Sequence, residues 1–168
     1  MHKTVQRCGC FFDLQGVLSR CPDATAQLLG SSRYPDINGF VRFFNTYRGT
    51  LVAAEICGLP KPHDRCKKRI FAFHIHEGEN CSGSADDPFS AAMSHYNPNG
   101  CQHPFHAGDL PPLFGNDGFA LSVFLTDRFS VKEIIGKTLI IHSAVDDFTS
   151  QPAGNAGEKI ACGKIRAI

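Results

Sequence analysis

Six of the chain's eight histidines fall between residues 74 and 142, and their spacing constrains the fold more than any other feature of the sequence. The segment Phe71-Ala-Phe-His74-Ile-His76-Glu-Gly puts two imidazoles at i and i+2. On a strand, such positions point to one face. His95-Tyr-Asn-Pro follows, then His103-Pro-Phe-His106-Ala-Gly-Asp109-Leu, and His142 ends the apolar run Thr138-Leu-Ile-Ile. Imidazole suits copper and zinc, and a carboxylate among histidines is a common zinc set. One ion does not need this many ligands. A lone strand histidine is ordinarily a packed or surface residue, but that reading does not account for the whole set.

The segments around these residues read as β. Ala24-Thr-Ala-Gln-Leu-Leu is bounded by Gly30-Ser-Ser, and Asp36-Ile-Asn-Gly precedes Phe40-Val-Arg-Phe-Phe. Gly49 to Cys57, Arg69 to His76, Gly118 to Thr126, Lys137 to His142 and Lys159 to Ile165 are further β-rich runs. Short strands punctuated by Gly, Pro and Asn predict an all-β, antiparallel sandwich or barrel. Phe129 to Gly136 reads as a helical turn or a connecting loop. Two long stretches lack strand character, Glu77 to Phe114 and Ser143 to Gly157. Irregular stretches of this length in a compact domain are usually functional or mobile. The first carries His95, His103, His106 and Asp109, and the second directly follows His142. The ligands are therefore expected on sheet ends and on two long loops folded back over them.

With 168 residues the chain is most simply one domain, read as 23–168, preceded by an extension over residues 1–22 that is a candidate for disorder. A net charge of +1 offers no basic field for nucleic acid. No apolar run reaches membrane-spanning length. The basic start Met1-His-Lys-Thr-Val-Gln-Arg leads to an apolar patch broken at Asp13, a poor export signal, so the chain as written reads as cytoplasmic. Eight cysteines pull the other way, toward an oxidising compartment. Cys8-Gly-Cys10 reads first as a tail with free thiols and second as a metal-binding pair. Cys57 and Cys66 are equally readable as a local bridge or as two thiols, and Cys101 as a small loop residue.

Taken together, these residues resemble copper/zinc superoxide dismutases over roughly Ala24 to Ile165. The most specific pieces are Phe73-His-Ile-His-Glu, His95-Tyr-Asn-Pro with His106-Ala-Gly-Asp-Leu, and Gly154-Asn-Ala-Gly-Glu-Lys-Ile-Ala-Cys-Gly163. The resemblance implies a Greek-key β-barrel holding copper beside zinc. It implies copper on His74, His76, His95 and His142, and zinc on His95, His103, His106 and Asp109, with His95 bridging the two. It also implies that Asp146 tethers a copper histidine to a zinc histidine, and that Cys81 and Cys162 are bridged. The activity implied is disproportionation of superoxide, in which His95 releases copper and gains a proton, then returns that proton. A homodimer is admitted but not determined.

Three departures from the family pattern stand out. The segment from His103 to His106 is short and must turn tightly at Pro104. The segment Ser143 to Glu158 is short and has few charges. Lys159 stands where the family commonly carries an arginine beside copper, which keeps a cation but loses the planar fork of donors. Lys159 is the expected anion-attracting residue, with Lys137, Lys164 and Arg128 next in line. The main alternative function is a dismutase-like domain that stores or delivers copper without turnover, which Cys8-Gly-Cys10 favours slightly. A zinc-only structural protein or hydrolase is a further alternative. It lacks an evident general base among the histidines apart from Glu77.

Overall fold

The computed structural model describes residues 11–61 and 70–168. Among the described residues nine strands carry the fold: β1 (Ala24–Gly30), β2 (Asn38–Thr46), β3 (Gly49–Cys57), β4 (Ile70–Phe71), β5 (Phe73–His76), β6 (Leu113–Phe114), β7 (Ala120–Thr126), β8 (Thr138–His142) and β9 (Lys159–Ala167). Seven of them form one antiparallel sheet in the order β5-β8-β9-β1-β2-β3-β7, and β4 pairs with β6 separately. The chain makes a meander through β1–β3 and crosses to the far edge for β5. It returns beside β3 for β7 and crosses again to place β8 and β9 between β5 and β1. These crossovers are the Greek-key pattern, and the sheet curls around one core.

Alternation explains which faces turn inward. In β1, Ala24, Ala26 and Leu28 are buried while Gln27 and Leu29 face out. The core gathers Leu28, Val41, Phe43, Val52, Ile56 and Ile165 with Phe73, Ile75, Leu139 and Ile141. Strands β5 and β8 are buried along their whole length. Their inward residues Phe73, Ile75, Leu139 and Ile141 belong to that core, and their other face carries His74, His76, Ile140 and His142. A strand buried on both faces has one face free for chemistry shielded from water.

The β-rich run at 69–76 divides at Ala72, because the chain changes partner there. Ala72 donates its N–H to the Ala144 carbonyl and accepts from His142 N–H, so β4 pairs with β6 and β5 with β8. Strand β6 follows Pro111-Pro112, which hides it from sequence reading. Helix α1 (Leu14–Ser19) is capped by the Asp13 side chain, and Phe12, Val17 and Leu18 cover Phe44, Leu51 and Ala53 on the outer sheet face. Helix α2 (Val131–Ile134) takes the helical-turn option, closed by a Ser130–Glu133 capping box. Cys8, Cys10 and Cys66 lie outside the described residues. Cys21, Cys57 and Cys101 are exposed thiols.

Cys81 and Cys162 are bridged, with Cα atoms 5.7 Å apart. The bond fastens the start of the 77–112 loop to β9 beside Phe89, Ala92 and Ile140. Such a bridge suits an extracytoplasmic setting, in contrast to the cytoplasmic placement read from the N-terminus. No helix among the described residues is long and apolar enough to cross a membrane.

Candidate metal centre

Strand β5 is an edge of the sheet, and the loop that follows it returns twice to cover that edge. In the first return Tyr96 N–H donates to the Ile75 carbonyl and Glu77 N–H to the Ser94 carbonyl. In the second, along the same edge, Ile75 N–H donates to the Gly108 carbonyl and Leu110 N–H to the Phe73 carbonyl. These bonds satisfy the strand's unpaired backbone. They also set His95 opposite His76 and Asp109 opposite His74. Gly108 permits this approach, since a Cβ there would stand 2.2 Å from the Ile75 carbonyl oxygen. Further along, Phe105 N–H donates to the Gln102 carbonyl, which makes the tight turn expected at Pro104.

Two clusters of buried side chains result: His74, His76, His95 and His142, and His95, His103, His106 and Asp109. Within each, one potential ligand atom per residue lies within 4.8 Å of the others. His95 belongs to both.

Hydrogen bonds fix which ring nitrogen is free. His76 Nδ1–H donates to the Met93 carbonyl (2.8 Å) and His142 Nδ1–H to the Gly157 carbonyl (3.3 Å). Each ring therefore turns an unprotonated Nε2 toward the other, and these nitrogens are 3.2 Å apart. Two lone pairs so close repel unless a cation lies between them. His74 and His103 donate from Nε2 to the two oxygens of Asp146, each at 2.8 Å, which leaves both Nδ1 atoms as acceptors. His95 Nδ1 meets Asp109 Oδ1 at 2.7 Å. His103 Nδ1 and His106 Nδ1 stand 3.1 and 3.3 Å from Asp109 Oδ2. Neither makes a hydrogen bond there, and His74 Nδ1 and His95 Nε2 are also buried without a partner. Buried polar atoms without partners are costly and rare. A metal ion in each cluster accounts for all four, and the donor types fit: imidazoles for copper, nitrogens plus one carboxylate for zinc.

Electrostatics point the same way. Burial, then the neighbouring rings, holds His76 well below its ordinary range and His142 down to about 3, so both rings are neutral. Burial likewise lowers His74, against the pull of Asp146. Burial opposes ionisation of Asp146, but bonds from His74, Phe148 N–H and His103 outweigh it and hold the carboxyl at about 2. At Asp109, too, burial is outweighed, chiefly by the bond from His95, and the group is lowered.

The clusters border a cavity of about 630 Å³ lined by His76, His95 and His142 together with Glu77, Asp87, Met93, Glu158 and Lys159. Lys159 thus lines the same cavity, but its Nζ is paired with Asp87 Oδ2 at 2.7 Å. Lys137, Lys164 and Arg128 do not line this cavity. Lys137 lies over the Tyr96 ring, and Lys164 faces Glu79 at 3.7 Å. Arg128 instead donates to the carbonyls of Pro104, His106 and Asp109, pinning the loop that carries the second cluster. Nothing in the local sequence marks that role. Gly154 was visible only as part of a motif. Its φ is +67°, and a Cβ there would sit 2.0 Å from Asp146 Oδ1 and 2.6 Å from His103 Nε2. The Met93 carbonyl that orients His76 left no side-chain signal at all.

Comparison with known proteins agrees with this geometry. A family model described as "Copper/zinc superoxide dismutase (SODC)" matches residues 37–165. Cu-Zn superoxide dismutase 2 of Aquifex aeolicus (strain VF5) is 35% identical over 146 residues, covering 78% of this chain and 80% of that protein. The Cu-Zn superoxide dismutase of Deinococcus radiodurans is 32% identical over 167 residues, covering 88% and 86%. The crystal structure of a double mutant of a SOD-like protein from Bacillus subtilis superposes with a TM-score of 0.68 at 28% identity, covering 85% of this chain and 97% of that one. With its fold, its motifs and these relatives in agreement, the chain belongs to the copper/zinc superoxide dismutase family.

Proposed function

We propose that the protein disproportionates superoxide to dioxygen and hydrogen peroxide at a copper ion joined to a zinc ion by His95. The observation that carries this reading is the pair of buried ligand clusters sharing one imidazole. His74, His76, His95 and His142 would hold copper, and His95, His103, His106 and Asp109 would hold zinc. Copper, when bound, supplies the one-electron chemistry that neither side chains nor zinc can perform.

The chain's own residues do the rest. Strands β5 and β8 present His74, His76 and His142 from rigid, fully buried backbone, so the site needs little reorganisation. Asp109 faces His95 Nδ1 and keeps that side of the ring in place. His95 Nε2 can then take up and return a proton while the ring stays where it is. Asp146 orients His74 and His103 together and makes both better ligands. Lys159, which lines the cavity, would offer a small anion its cation to the extent that Asp87 leaves it free.

The test is superoxide decay followed in a stopped-flow instrument with protein loaded with both metals, with zinc only, and with neither. The doubly loaded protein should accelerate decay catalytically, and the other two should not. Full copper loading without acceleration would reject the enzyme and leave the copper storage or delivery reading.

A further inference from the structure

The cavity is poorly arranged to attract an anion. Among the described residues its lining carries four carboxylates, Glu77, Asp86, Asp87 and Glu158, against the single ammonium of Lys159. The neighbouring cation, Arg33, is also committed. Its guanidinium pairs with Glu158 at 2.8 Å and donates to the Ala85 and Asp86 carbonyls at 3.0 and 3.3 Å. Lys159 Nζ meets Asp87 Oδ2 at 2.7 Å, and its side chain is only 16% exposed. Asp87 is itself fixed. Its other oxygen accepts from Phe89 N–H, and its N–H donates to Ser84 Oγ. Its carbonyl accepts from the N–H groups of Ser84 and Ser90. The turn at 84–90 therefore holds a carboxylate over the one lysine or arginine among the described residues that lines the cavity.

Resting on the dismutase reading above, we propose that Asp87 is the positioning residue that sets anion entry, by clamping Lys159 and cancelling its charge. The ion pair of Asp87 is with Lys159 and not with either ligand cluster. It acts through Lys159, and its removal leaves Lys159 free to turn toward an incoming anion. The local charge then rises by one. A unit charge roughly 8 Å away in a mostly aqueous medium changes an anion's affinity by about twofold, and partial burial raises this to about fivefold. Ionic strength screens the effect.

Azide is a suitable probe, being a small monoanion whose binding to copper is read from its absorption without turnover. Its affinity is measured on the copper- and zinc-loaded protein from low to high salt. In wild type, azide affinity should vary little with salt. In Asp87→Asn it should rise about two- to fivefold at low ionic strength and return to the wild-type value at high salt, with metal content unchanged. Asp87→Glu, which can still pair, should behave as wild type. Measured against Lys159→Met alone, Asp87→Asn combined with Lys159→Met should show no gain.

Two results would overturn the inference: no gain in Asp87→Asn at low salt, or a gain that survives the loss of Lys159. The second would make Asp87 a simple repulsive charge. The superoxide assay is read separately. If azide binding responds as expected while superoxide decay is not accelerated, the dismutase reading falls and the role of Asp87 stands. If decay is accelerated and azide does not respond, the reverse holds.

Discussion

Asp146→Asn is the most informative substitution, because the structure predicts which metal it will affect. Asp146 Oδ1 accepts from both His103 Nε2 and Phe148 N–H, while Oδ2 accepts from His74 Nε2 alone, at 2.8 Å. In the variant, the two donors at the first position require the amide oxygen there. The amide nitrogen then faces His74, donor against donor. Either that pair stays unmade inside a buried site, at about 1–3 kcal/mol, or His74 changes tautomer. The tautomer change moves its proton to Nδ1, the nitrogen that faces the first cluster. Both routes weaken copper binding, whereas the hydrogen bond that orients His103 survives. Lost orienting partners typically cost about 10–100-fold in metal affinity. We therefore expect copper affinity to fall by that amount and zinc affinity by less than about fivefold. Chelator competition, run separately for each ion, measures both. Asp146→Ala should weaken the two together. Copper binding within twofold of wild type in Asp146→Asn, or a larger loss of zinc than of copper, would refute this account of the tether.

Three further outcomes follow from the geometry. Reducing the Cys81–Cys162 bridge frees a span of 81 residues, about 4.5 kcal/mol in the chain-entropy view. It should lower the melting temperature by about 10 °C or more and loosen metal binding; a shift under about 2 °C would contradict this. Lys159→Glu should slow superoxide decay about tenfold at low salt and less at high salt, while Lys159→Arg keeps or raises the rate; a salt-independent Lys159→Glu variant with wild-type activity would remove Lys159 from the entrance. In the metal-free protein His142 is neutral down to about pH 3, whereas the unfolded chain binds that proton near pH 6.5. Stability is then fully present above pH 6.5 and is lost as pH falls toward 3, by about 1.4 kcal/mol per unit for each such ring. Urea midpoints for the metal-free protein that match at pH 7.5 and pH 5 would show this to be wrong.

Much of this was legible because periodicity and chemistry coincide on a few segments. His74 and His76 alternate with Phe73 and Ile75, so one strand shows a core face and a ligand face at once. The strand runs at Ala24, Gly49, Gly118 and Lys137 carried Gly or Asn boundaries and β-branched residues, and each is a strand. What was hidden depends on backbone or on long-range contact. Ala72 changes strand partner through its own amide and carbonyl, which no side chain reports. Arg128 organises three loop carbonyls that lie 19 to 24 residues away in sequence. Lys159 was readable as a cation close to the ligand motifs. Its partner Asp87 sits 72 residues earlier in a loop, so its neutralised charge was not readable.

A copper–zinc pair joined through His95 is open to elemental analysis combined with the copper electron-spin spectrum. One copper and one zinc per chain are expected, with a copper spectrum that changes when zinc is removed. In His95→Ala, copper should become insensitive to zinc. A single metal per wild-type chain, or a wild-type copper spectrum indifferent to zinc removal, would contradict that pairing.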